Sequence, residues 1–158
     1  MITVAIADLA AVRGDSGDVI VTYALGSCVG VCLYDRRTRV SGMAHVMLPW
    51  SKEAFKGDNM RRYADTALTE LIGMMVSLGA AKSDIFAKIA GGAQMFGAVS
   101  GTFNIGERNI AAVHHILGAY DIPIVAEDVG GAYARTLYLH TDTGTAEVKT
   151  AARRIIVL

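Results

Sequence analysis

The sequence predicts a single domain, residues 1–158, of mixed strands and helices, and three observations predict it. Its length is that of one typical domain, with 53% hydrophobic residues to fill one core. Short β-branched and apolar runs bounded by Gly, Pro and Asp recur along it, and two longer stretches carry apolar residues at helical spacing.

Met1 to Val12 reads as a first strand and Val19 to Tyr23 as a β-branched one. Leu25-Gly26-Ser27 then breaks the pattern, and Cys28 to Tyr34 resumes it as a strand buried on both faces. Asp35 to Arg39 is polar and turns the chain, so Val40 to Leu48 returns as the second arm of a hairpin that stops at Pro49, which has no N–H for a ladder. Pro49 to Asn59 follows neither period and is expected as an ordered loop near the site, with the character of a lid.

From Met60 to Leu78, apolar residues at 64, 67, 68, 71, 72, 75 and 78 line one helical face, and Gly79 supplies the C-terminal cap. Ile85 to Ala90 is a strand, and Gly91-Gly92 and Gly97 to Gly101 mark a flexible, Gly-rich passage. Asn104 with Glu107 forms a capping box for a second helix running to about Ala119. Ile122 to Glu127, Tyr133 to His140 and Thr145 to Thr150 are strands, the last two joined by a turn at Asp142-Thr143-Gly144.

Fifteen Lys plus Arg balance fifteen Asp plus Glu, so the chain has no electrostatic footprint for a phosphate backbone and nucleic acid is not an expected partner. The longest apolar stretch, Ala64 to Ala81, contains Asp65 and Glu70, too polar to span a bilayer. Met1 to Val12 has no basic flank and contains Asp8, which argues against a secretory signal and for a reducing, cytoplasmic setting. On one strand, Cys28 and Cys32 would stand about 13 Å apart, too far for a disulfide.

Several signals are set aside. Gly91-Gly92-Ala93-Gln94 lacks the Gly-Lys-Ser/Thr of a phosphate loop and reads as close packing. Adjacent His114 and His115 point roughly 100° apart on a helix, so no metal is expected. Arg61-Arg62 and Arg153-Arg154 read as solvated basic pairs.

Chemistry concentrates at Cys28 and His45. A free cysteine is usually a small buried hydrophobe, a description that suits Cys32, in mid-strand between Val31 and Leu33. Cys28 instead follows Gly26-Ser27 at a strand mouth, where a thiol can act as a nucleophile if an imidazole takes its proton. A hairpin register in which paired residue numbers sum to 73 sets His45 opposite Cys28, with Cβ atoms about 5 Å apart. Any odd sum keeps the two on one face. The competing account of His45 is a core histidine between Met43 and Met47, satisfied by a backbone carbonyl. A third group normally orients the imidazole, and the nearby hydroxyl candidates are Thr22 and Ser27. Thr22 can accept a ring N–H bond but cannot neutralise imidazolium. Backbone N–H groups near Gly26, Ser27 and Cys28 are candidate oxyanion donors.

Thr22-x-x-Leu25-Gly26-Ser27-Cys28 followed by Ala44-His45-Val46-Met47-Leu48-Pro49 resembles the signature of the CheD chemoreceptor glutamine deamidases. The resemblance continues through Tyr63-Ala64-Asp65, Lys88-Ile89-Ala90-Gly91-Gly92-Ala93, Asn104-Ile105-Gly106-x-Arg108-Asn109 and Glu127-Asp128-x-Gly130-Gly131, covering nearly the whole chain. One departure follows Gly131: relatives often carry a further Arg and Gly where this chain has Tyr133 and Ala134 before Arg135.

The resemblance implies an α+β fold, a layered sandwich of two packed mixed β-sheets with helices on an outer face. It makes Cys28 the nucleophile, His45 its base and Thr22 the third member, with no cofactor. It further implies deamidation of chemoreceptor cytoplasmic helices, a CheC-type phosphatase as partner, and chemistry that also suits glutamate methyl esters. An interaction module that acts mainly by binding CheC, and a cysteine amidohydrolase with another protein substrate, stand as alternatives.

Overall fold

In this computed structural model, residues 1–95 and 104–158 are described. The described residues form strands β1 (Ile2–Thr3), β2 (Leu9–Arg13), β3 (Val19–Leu25), β4 (Val29–Asp35), β5 (Val40–Val46), β6 (Ile85–Gly91), β7 (Ile124–Val129), β8 (Arg135–His140), β9 (Ala146–Thr150) and β10 (Ile155–Val157). Two α-helices accompany them, α1 (Ala64–Ser77) and α2 (Ile105–Ala119). No helix among the described residues is long and apolar enough to cross a membrane.

The strands divide into two five-stranded sheets, ordered β1-β3-β8-β9-β10 and β2-β5-β4-β6-β7. Both are mixed, because β1 pairs with β3 and β6 with β7 in parallel, while the remaining pairs are antiparallel. One core lies between the sheets and holds Ile20, Leu25, Cys32, Met43, Leu137 and Val148. A second lies between the outer face of the second sheet and the helices, built on Val31, Leu33, Ala44, Leu68, Leu71 and Val113. The order sheet, sheet, helices is the α+β sandwich that the sequence motifs implied.

Strands β4 and β5 are buried at every position because they lie centrally, with sheet on one side and helix on the other. The break at Leu25-Gly26-Ser27 is the point where the chain leaves one sheet for the other. β3 ends there in a bulge against β8, with Ala24 in the left-handed region at φ 57°. The first expected strand is likewise two, β1 and β2, in different sheets, and Ala7 turns between them at φ 58°.

Other boundaries also moved. α1 begins at Ala64, not Met60, because Met60–Arg62 is a separate 3₁₀ turn and Tyr63 is extended. Gly79 ends the helix as expected, with φ 107° and its N–H on the Val76 carbonyl. The capping box does not form: the Asn104 side chain bonds the Glu107 carboxylate and not the helix backbone. β10, with two of its three residues exposed, has no counterpart in the sequence reading. The expected Gly-rich passage at 97–101 lies outside the described residues.

The hairpin register is two units from the expected one. Gly30 pairs with His45 and Asp35 with Val40, so paired numbers sum to 75, and the four-residue loop is 36–39. Asp35 sets this register. It is fully buried, its Oδ1 accepts the N–H groups of Arg37 and Thr38, and its Oδ2 accepts that of Ala81. Burial opposes its ionisation, but these hydrogen bonds outweigh burial and hold the carboxyl below its ordinary pKa. Asp35→Ala leaves three partly buried donors without their acceptor, and the expected loss is about 1–2 kcal/mol. Urea unfolding checks it, and a loss under about 0.5 kcal/mol contradicts this account.

Candidate active site

His45 is fully buried on β5 and, being two residues from Met43, points between the sheets toward β3. Its backbone N–H and C=O are taken by Asp8 O at 3.0 Å and Ala7 N at 3.2 Å, on the side away from β4. Gly30↔His45 is therefore the closer, non-hydrogen-bonded kind of antiparallel pair. Gly30 has no side chain to occupy that face, and Leu25 and Leu137 fill the position a Cβ would take.

Cys28 stands one residue before β4, whose pairing with β5 starts at Val29↔Val46. It is diagonal to His45 and not directly opposite, which corrects the expected pairing, but the sum of 75 is odd and keeps both on the inter-sheet face. Cys28 is half-buried and packs against the inter-sheet core. Cys32, two pairs further along, is buried, and burial lifts its thiol to about 12, more than the nearby Lys88 charge lowers it. Both cysteines are free.

Thr22 comes from the other sheet. Its Oγ1 lies 2.8 Å from the Val4 carbonyl and 2.7 Å from His45 Nδ1. A hydroxyl has one proton, and a carbonyl can only accept, so Thr22 donates to Val4 O and accepts from Nδ1–H. That assigns the tautomer: Nδ1 carries the proton and Nε2 presents a lone pair. Nε2 is buried and has no hydrogen-bond partner among the described residues. The histidine is thus not satisfied by a backbone carbonyl, and its free nitrogen is a base without a proton to hold.

Burial lowers the His45 pKa to about 4 and raises that of Cys28 above the ordinary 9.0, although the Cys28 backbone N–H partly offsets the latter. Both shifts act in the same sense, favouring neutral thiol and neutral imidazole over the ion pair. Burial of both groups thus favours a neutral resting pair.

Around the thiol, three successive carbonyls are held. Gly26 O accepts from Ala93 N at 2.8 Å, Ser27 O from Asn109 Nδ2 at 3.0 Å, and Cys28 O from Gly92 N at 2.8 Å. Gly91 and Gly92 allow this approach: a Cβ on Gly91 would stand 2.2 Å from Cys28 O, and both have positive φ. Close packing is thus what the double glycine does. Of the three expected oxyanion donors, the Gly26 N–H is turned onto Ala24 O at 3.0 Å. The N–H groups of Ser27 and Cys28 meet no acceptor in another residue among the described residues.

Asn109 was quoted within a motif but given no role by the sequence. The readable signal was a polar residue on the inward stripe of α2, among Ala112, Val113 and Ile116. The departing loop after Gly131 is held by Arg135, which bonds Asp128 at 2.9 Å and Gly130 O at 2.8 Å, and lies over the Tyr133 ring at 4.2 Å. Gly131 O in turn accepts the Gln94 N–H.

The family model for CheD chemotactic sensory transduction matches residues 47–150. The chain belongs to the CheD family. A relative from Lachnoclostridium phytofermentans is 41% identical over 97% of this chain and 95% of its own, a span that takes in Thr22, Cys28 and His45. Others from Geobacillus kaustophilus and Caldanaerobacter subterraneus are 47% and 44% identical, over 87% and 85% of this chain and 86% and 85% of theirs. All three carry the description "Probable chemoreceptor glutamine deamidase CheD". Among solved structures, the Bacillus licheniformis hypothetical protein YfiH superposes with a TM-score of 0.45 and 13% identity over 72% of this chain and 47% of its own, too loose a likeness to bear on chemistry.

A neutral resting pair has a kinetic signature. Alkylation of Cys28 is expected to quicken about tenfold per pH unit across neutrality, following the rare thiolate. A rate already level between about pH 6 and 8 is the mark of a standing ion pair and contradicts the geometry.

Proposed function

We propose that this chain is a chemoreceptor glutamine deamidase, hydrolysing side-chain amides of glutamines on receptor cytoplasmic helices to glutamate and ammonia. The carrying observation is the buried His45 Nε2 lone pair, held by Thr22 on the face that also carries Cys28. Family membership supports the choice of substrate. In this reading residues 1–158 act as one catalytic domain in the cytoplasm without a cofactor, and a CheC-type phosphatase is a binding partner.

Cys28 Sγ attacks the amide carbon while Nε2 takes the thiol proton, giving a tetrahedral oxyanion. The N–H groups of Ser27 and Cys28 are the donors for that oxyanion, since each has its carbonyl neighbour tied back. Collapse breaks the C–N bond, and the imidazolium returns its proton to the departing ammonia. Water, deprotonated by Nε2, then attacks the thioester, releasing the glutamate side chain and restoring the thiol. Thr22 stays neutral throughout and fixes the ring, so imidazolium is not stabilised by a carboxylate and exists only within each step.

Wild-type protein is expected to release ammonia from a receptor cytoplasmic fragment, with the mass gain of amide-to-acid exchange at specific glutamines. Cys28→Ser should lose this while still binding CheC. Equal conversion by both proteins refutes the nucleophile assignment, and binding of CheC without any conversion by wild type favours the interaction-module alternative. The acidic limb of kcat/KM reports the free base. Because burial lowers the His45 pKa to about 4, activity persists below the ordinary 6.5 and falls only as pH approaches that lower value. A limb near 6.5 shows an imidazole that is not desolvated.

A further inference from the structure

We infer that Asn109 is a positioning residue for the reaction, aiming the Cys28 N–H at the developing oxyanion by holding the carbonyl of the same peptide unit; this rests on the deamidase reading above. In a trans peptide the C=O and N–H point in opposite directions, so fixing one aims the other. Asn109 Nδ2 donates to Ser27 O at 3.0 Å, and the N–H of that Ser27–Cys28 unit points away from α2. It points to the side of the Cys28 sulfur, where it favours the thiolate.

The same amide group has a second task. Its other proton goes to Met47 O at 2.9 Å, two residues beyond His45. The ladder between β4 and β5 ends at Val29↔Val46, one residue short of both Cys28 and Met47. Beyond that point no backbone bond among the described residues joins the strand of Cys28 to that of His45, and the Asn109 NH₂ group bridges them instead. Both acceptors are carbonyls, so Nδ2 must face them, and the amide orientation is decided by its partners. Asn109 is fully buried in α2, leaving its Oδ1 without a partner among the described residues. A buried acceptor left unmet is costly, yet an apolar residue here would leave two carbonyls unmet as well.

The neighbouring carbonyls, Gly26 O and Cys28 O, are held by backbone N–H groups of residues 93 and 92. Only the central peptide depends on a side chain, which makes Asn109 the point where the oxyanion donor can be altered without changing the chain that carries it.

The test compares wild type, Asn109→Ala and Asn109→Ser in three readouts: deamidation of the receptor fragment, alkylation of Cys28 by iodoacetamide, and inhibition by a peptide bearing a glutamine aldehyde. Alkylation needs the thiol but develops no oxyanion, whereas the aldehyde forms a hemithioacetal oxyanion on Cys28. Asn109→Ala is expected to lower kcat by about 10- to 100-fold and to weaken the aldehyde by a similar factor, somewhat less than outright removal of an oxyanion donor. KM should stay within about twofold, and the alkylation rate should fall by clearly less than turnover, since alkylation loses only the modest help this N–H gives the thiolate. Asn109→Ser, which keeps one donor, should fall between, and it replaces the alanine variant if that shows no cooperative thermal transition. Turnover within about threefold of wild type, or parallel losses of turnover and alkylation, overturns the inference. Failure of wild type itself to deamidate is a separate outcome, and it removes the deamidase reading instead.

Discussion

One proton, on the hydroxyl of Thr22, organises the site. It is committed to the Val4 carbonyl, and that commitment turns the hydroxyl oxygen into an acceptor for His45 Nδ1–H. Three strands must be in register for this to happen: β1 leads into Val4 and pairs in parallel with β3, which carries Thr22, and β5 of the facing sheet carries His45. The two-sheet sandwich is therefore more than a way of burying apolar surface. It brings together a backbone carbonyl, a hydroxyl and an imidazole that no single sheet could align, and it does so where water cannot compete for Nδ1.

That dryness fixes the electronic character of the pair. With a carboxylate as third member, imidazolium would be stabilised and a standing thiolate would follow; a hydroxyl already spent on a carbonyl gives no such help. Desolvation by itself places the imidazole near 4 and the thiol above its usual 9.0. A thiol kept neutral reacts little with adventitious electrophiles, and it gains nucleophilicity only when a carbonyl carbon is close enough for attack and proton transfer to proceed together.

Much of this was legible in the residues. The helical stripe of α1 and the arms of the hairpin follow from periodicity, because a buried face leaves a repeat that sequence displays. The residues at 22, 28 and 45 stood out by type, position and family motif, and the fold brings Thr22 onto His45 with Cys28 on the same face. The register was not, since it depends on whether Asp35 ends the strand or opens the loop. Asp35 is polar and looks like a turn residue, yet it is buried, and its carboxylate substitutes for the missing ladder partners of three N–H groups. The split of the first strand at Ala7 was equally hidden, because a left-handed alanine has no local signature and is imposed by tertiary contacts, among them the Asn59 amide on Ala7 O.

Asn109 left a visible mark, a polar residue on an apolar stripe, but its partners depend on where two strands part. A β-ladder satisfies backbone groups only as far as two strands run together, and Cys28 sits where they part. Beyond the ladder, Ser27 O and Met47 O are then partly buried and unpaired by their own sheet. Something from a third layer has to meet them, and a primary amide is the smallest side chain with two donors on one atom. The helix layer supplies it from the inward face of α2, at a position periodicity assigns to a hydrophobic residue. The one polar break in that stripe thus follows from placing Cys28 at a strand mouth, and the Ser27–Cys28 peptide is tied to the helix layer through it.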